Sequence, residues 1–186
     1  MQTRSLLVVL LTALPPLVTW ADAGSFGVKG VALGADFASA QALPSIRCNK
    51  TVKIEYCIWL RPQNIPNDYK TIATIQAEMY SFYALDGKVQ KIEVAYSALG
   101  HERVKIALSE KFGTPAKAEE HVVQNRMGAS FIDEEVLWRS SNGDEMKLHK
   151  YARNLETGML VITSNSYRSK EAADSSERKQ KALSDL

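Results

Sequence analysis

Two β-rich runs on either side of Asp86-Gly87 constrain this chain more than any other feature; the stretch from Thr71 to Tyr96 reads TIATIQAEMYSFYALDGKVQKIEVAY. Asp-Gly between such runs signals a two-residue hairpin, because both central residues of a type I′ turn need φ > 0. In the second arm Ile92, Val94 and Tyr96 alternate with Lys91, Glu93 and Ala95, giving one buried and one wetted face. The first arm is apolar on both parities: Ile75, Ala77, Met79 and Tyr83 on one side, Tyr80 and Phe82 on the other. A strand with two apolar faces has one to spare for a partner.

The N-terminus predicts export. Arg4, the apolar run of Leu6 to Leu11 with Ala13 and Leu14, and Ala21-Asp22-Ala23 ahead of Gly24 are the three regions of a secretory signal peptide, expected over residues 1–23. Pro15-Pro16 break the run, which is too short to cross about 30 Å of hydrocarbon. The first cysteine, Cys48, lies too far along the chain to be acylated as in a lipoprotein. The mature protein is therefore expected in the periplasm or secreted, without membrane insertion. A formal charge of +2 with scattered Lys and Arg lacks the clustered basic face that nucleic acid requires. In an oxidising compartment Cys48 and Cys57, the only two thiols, are expected to form one disulfide. With Asn49-Lys50 as the likeliest turn of that region, no register sets the two directly opposite, so the bridge is expected to tie a turn to a strand.

Along the mature chain Asp36 stands as an N-cap before a short helix through Phe37, Ala40 and Leu43, which Pro44 stops. β-rich residues Ile46 to Leu60, a loop from Arg61 to Lys70 and the central hairpin follow. After Ser97 the period becomes helical, with Val104, Ala107, Leu108 and Phe112 on one face and Gly113-Thr114-Pro115 as the stop. Four further strands follow, separated by turns at Arg126-Met127-Gly128, Asn142-Gly143 and Thr157-Gly158. The fold expected is α+β: two consecutive helix-plus-antiparallel-sheet units, about 24–96 and 97–168, with the helices on one face of the sheet. Residues 169–186, rich in Ser, Lys, Arg, Asp and Glu, are expected to be a charged, disordered tail, partly helical at most.

The repeated helix-then-sheet order, Leu33-Gly34 before the first helix and Lys111-Phe112-Gly113-x-Pro115 closing the second resemble exported bacterial proteins of the β-lactamase-inhibitor-protein-like fold. The small lipoproteins of the outer-membrane assembly machinery (SmpA/OmlA type) look like a one-unit version. This chain lacks their acylated cysteine, which argues against a membrane-anchored role. The resemblance implies non-catalytic binding of another protein through a sheet face and loops.

Chemistry-bearing patterns are sparse. His101, His121 and His149 fit no metal-ligand spacing, and no Ser or Cys has nucleophile context, so no catalytic, cofactor or metal residue is assigned. His101 begins a helix and is expected to be exposed. Aromatic residues are favoured where proteins meet, which makes Trp59, Tyr80, Phe82, Trp138 and Tyr151 the candidate partner-binding residues on an open sheet face. The function expected is a non-catalytic periplasmic or secreted protein that engages an envelope or foreign protein. The alternative is a small-ligand carrier or envelope hydrolase using His121, His149 and nearby carboxylates in a sheet cleft.

Overall fold

The computed structural model describes residues 25–51, 54–60 and 67–184; the expected signal peptide lies outside them. Gly27–Val28 (β1) and Val31–Ala32 (β2) form a small antiparallel ribbon turned at Lys29-Gly30. The chain then runs beside the tip of the central hairpin, where the backbone N–H groups of Gly34 and Phe37 donate to Val89 and Gly87. A one-turn helix, Ala38–Gln41 (α1), follows. Asp36 makes no side-chain cap to it and instead pairs with Lys88 at 2.6 Å. Arg47–Lys50 (β3), Glu55–Leu60 (β4), a short helix Asn67–Lys70 (α2) and Thr71–Ile72 (β5) lead into the long hairpin Ile75–Leu85 (β6) and Lys88–Ser97 (β7). A 3-10 turn at Ala98–Gly100 opens His101–Phe112 (α3). Lys117–Gln124 (β8), Ser130–Arg139 (β9), Glu145–Asn154 (β10) and Thr157–Thr163 (β11) then meander, and Asn165–Ser184 (α4) follows.

The fold is α+β. Nine strands form one antiparallel sheet, in the order β3-β4-β6-β7-β11-β10-β9-β8 with β5 on the edge of β6. The two sequence units thus merge through the β7–β11 pair.

The hairpin turn is as expected, with φ of 53° at Asp86 and 72° at Gly87. Its register is not the simple one. Leu85 faces Lys88 and Ala84 faces Val89, but Tyr83 then faces Lys91, which leaves Gln90 as a bulge; a second shift lies between Ala77 and Met79, at Glu78. Each bulge inserts one residue and so reverses which side chains point to which face. Ala77 therefore shares a face with Tyr80 and Phe82, and that face is the core. Two rows of cross-strand neighbours make up its centre: Cys57, Phe82, Ile92, Ile162, Met146 and Trp138, and beside them Trp59, Tyr80, Val94, Leu160, Leu148 and Val136. All are buried. The expectation that Trp59, Tyr80, Phe82 and Trp138 present an open partner face is thereby corrected: they fill the face covered by the N-terminal ribbon and α3.

Phe112 at the end of α3 meets Phe26 edge to face at 5.3 Å, and Trp138 Nε1 donates to the carbonyl of Gly113 at 2.9 Å. These contacts fix α3 over the core rows. The opposite face carries half-buried Met79, Tyr83, Lys91, Glu93, Val161, Lys147 and His149. Here the helices depart from the expected single-face arrangement. Lys91 lies over the rings of Tyr83 and Tyr167 and 4.0 Å from Glu171, so the first turns of α4 sit against this second face. The Gln90 bulge positions the start of α4, since its carbonyl accepts from the Ser164 N–H and its side chain accepts from the Ser164 and Ser166 hydroxyls. Residues expected as a tail are helical to Ser184 and, from Ser169 to Ala182, exposed apart from half-buried Ser175. Opposite charges four apart at Asp174/Arg178 and Glu177/Lys181 favour that helix without burial.

The disulfide is present, and its setting is corrected. Cys48 faces Cys57 directly in the β3–β4 ladder, because the chain turns beyond Lys50, where Thr51 and Ile54 bond one another. Gly158, expected in a turn, belongs to β11. Asn154 makes the turn, its side chain accepting from the N–H groups of Glu156 and Thr157.

Candidate functional site

The 3-10 turn sets the phase of α3 so that His101, Val104 and Leu108 form its buried stripe, and His101 is only 1% exposed. The expectation of an exposed His101 is corrected on this ground. Its Nε2 lies 2.8 Å from Glu134 Oε2 on β9, and its Nδ1 lies 3.0 Å from the Tyr96 hydroxyl on β7. That hydroxyl also lies 3.2 Å from the carbonyl oxygen of His149. The Tyr96 ring fits because Gly158 is opposite it on β11; a Cβ there would fall 2.5 Å from the ring. Lys105, one turn along α3, donates to both oxygens of Glu134 at 2.9 and 3.0 Å and to Glu102 at 2.9 Å.

Burial pushes the pKa of His101 down, outweighing the opposing pull of Glu134. The neutral ring keeps its proton on Nε2 for Glu134 and leaves Nδ1 to accept from Tyr96. Burial works against the Glu134 carboxylate, yet the hydrogen bonds from Lys105 and His101 outweigh it and hold its pKa below the usual range. Lys105 is likewise opposed by burial but raised by its bonds to Glu134 and Glu102. Burial also pushes the Tyr96 phenol far above its ordinary value.

His101, Glu102 and Glu134 offer donor atoms within 4.8 Å of one another, a spacing that could suit a cation. The Lys105 ammonium already bonds both carboxylates, so a metal would have to displace it. Both ring nitrogens of His101 are engaged below the surface, which leaves no lone pair or proton facing a substrate. The arrangement clamps α3 to β7 and β9. Sequence reasoning missed it, although the spacing of His101, Val104 and Leu108 along one helix face was available to indicate a buried histidine.

The structure does not bring His121 and His149 together. His121 faces Asp133 and His149 faces Glu135, so the histidines lie on strands two apart, about 9.5 Å before their offset along the strands is counted. His149 instead meets Glu135, with Nδ1 3.3 Å from Oε2. Tyr151, the remaining aromatic candidate, is half-buried on β10, edge to face with Phe131 at 6.4 Å.

Accessible apolar surface lies elsewhere. A groove of about 560 Å³ runs between the starts of β6 and α3, lined by Ile75, Gly100, Leu99 and Ile106 with Gln76, Glu102 and Arg103 around them. Leu99 is 100% exposed and Ile106 56%. Gly100 allows the two elements to approach, since a Cβ there would lie 2.5 Å from the Ile75 side chain. The chain matches no protein-family model, no curated protein and no solved structure.

Proposed function

We propose that this is a non-catalytic periplasmic or secreted binding protein that engages an envelope or foreign protein through the groove beside α3. The observation that carries the reading is the pair Leu99 and Ile106, exposed on the 3-10 turn and on α3 and lining one groove. Covering a leucine gains roughly 1.5–3 kcal/mol, a gain that Leu99 forgoes in the isolated chain. An apolar centre bordered by Glu102, Arg103 and Gln76 matches the anatomy of protein interfaces, an apolar middle inside a polar rim. The Cys48–Cys57 disulfide is compatible with an oxidising compartment, and among the described residues no helix is long and apolar enough to cross a membrane. The resemblance to inhibitor-protein-like folds supports the same class of function, with the contact surface moved from the sheet aromatics to the helix groove.

Site-directed photocrosslinking in the native host tests this. A photoreactive residue at Leu99 should yield one discrete protein adduct, which Ile106→Asp abolishes and which a probe at exposed Arg153 does not form. No adduct at 99, or the same adducts from both probes, would refute the groove as the docking surface.

A further inference from the structure

On the other flank of α3 lies a second, smaller cavity of about 190 Å³, between the N-terminal ribbon, the β5–β6 turn and the C-terminal half of the helix. Its wall is apolar, from Val28, Ile72, Val104, Leu108 and Phe112. The Tyr80 hydroxyl at its floor is already engaged, donating to the carbonyl of Thr71, which also lines the cavity, at 2.9 Å. Two lysines, Lys29 from the β1–β2 turn and Lys111 from α3, also line it.

The placing of Lys29 is unusual. It sits in the β1–β2 turn with φ of 54°, a left-handed conformation that glycine or asparagine adopts at less cost. Its ammonium reaches the backbone carbonyl of Asp68. Burial pushes its pKa down, opposed by the nearby Asp68 carboxylate. Lys111 is exposed, its ammonium 5.0 Å from the centre of the Phe112 ring. An apolar chamber whose polar lining is chiefly cationic selects a ligand with an apolar body and a single anionic end.

From this we infer that the chamber is a binding site for a small amphiphilic carboxylate, held by its chain against α3 and by its charge between Lys29 and Lys111. A dry cavity of about 150 Å³ takes up benzene, so one of about 190 Å³ accommodates on the order of eight carbon atoms. The inference is independent of the groove, which α3 turns the other way. A charge-assisted hydrogen bond lost from such a site weakens binding by about tenfold or more.

The test is a titration of the full mature chain with octanoate and, separately, n-octanol, followed by amide chemical shifts. Octanoate should bind saturably, moving Val28, Ile72 and Leu108, and octanol at least about tenfold more weakly. Lys111→Gln, at an exposed position, should weaken octanoate about tenfold and leave octanol unchanged. Ala107→Phe, which fills the chamber, should abolish both; circular dichroism reports whether that variant is folded, and Lys111→Gln decides the matter if it is not. Absence of saturable octanoate binding, equal affinity for octanol, or shifts confined to the Leu99 groove would each overturn the assignment.

Discussion

Replacing Glu134 with alanine isolates the energetics of the clamp at the start of α3. The substitution removes the acceptor for His101 Nε2–H, a donor inside the protein, and a buried donor left without a partner costs about 1–3 kcal/mol. It also removes the Lys105 pair, whose side chains are 26% and 13% exposed and therefore partly screened, for a further ~0–1 kcal/mol. The sum is about 1–4 kcal/mol. For a domain of this size, at about 2–4 °C per kcal/mol, that corresponds to a fall in Tm of roughly 2–16 °C, measurable by calorimetry or by urea unfolding at pH 7.5. Glu134→Gln, which keeps a carbonyl oxygen for His101, should recover most of the loss. Glu102→Ala, at the solvent end of the same network, should leave Tm essentially unchanged. If Glu134→Ala and Glu102→Ala unfold together, the clamp contributes nothing and the reasoning from His101 fails.

Acid should weaken the wild-type protein in two steps: as pH falls below 6.5 the unfolded chain protonates His101 before the folded one does, and below 4.5 it protonates Glu134 first. Both depressed values act in the same sense, so unfolding free energy measured from pH 7.5 to 4 should decline monotonically, and Glu134→Ala should shrink the lower step, to which the depressed Glu119 carboxyl also contributes. Reducing the Cys48–Cys57 bond should cost about 2.5 kcal/mol on loop-entropy grounds and raise hydrogen exchange in β3 and β4 while β8 to β11 stay protected; uniform exchange would contradict this. Phe82→Ala should cost about 3–5 kcal/mol, as expected of a core residue, whereas unchanged stability would return Phe82 to the surface.

The hairpin at Asp86-Gly87, the helix from the His101 region to Phe112 and the antiparallel α+β class were legible because each depends on local chemistry: positive φ at two turn residues, a 3.6-residue period, a glycine stop. What was not legible is what one residue of register decides. Without the bulges at Gln90 and Glu78, the apolar parity of β6 that faces the core cannot be told from the parity that faces away, and simple alternation places Tyr80 and Phe82 on the wrong one. Gln90 offered little warning, since a polar residue in a strand reads the same whether it is paired or bulged. The Cys48–Cys57 register failed for a similar reason: a turn placed at Asn49-Lys50 instead of beyond Lys50 moves the cysteines out of line. The clamp around His101 joins residues 96, 101 and 134 across three elements, a juxtaposition that only the sheet order creates.

That clamp also bears on whether the two units seen in the sequence are independent. The β7–β11 ladder runs through seven residue pairs, from Ser97–Thr157 to Lys91–Thr163, and both core rows cross it without interruption. A unit of about 70 residues on its own buries only around 60% of its surface and is marginal. Cutting at Ser97 would leave Ile92 and Val94 without their neighbours Ile162 and Leu160, and would part Tyr96 from His101. The first turn of α3 spans this seam, holding Tyr96 of the first unit on one side and Glu134 of the second on the other. The same residues that bury His101 therefore tie the two halves of one continuous sheet together, and the exposed Leu99 is carried on the segment that joins them.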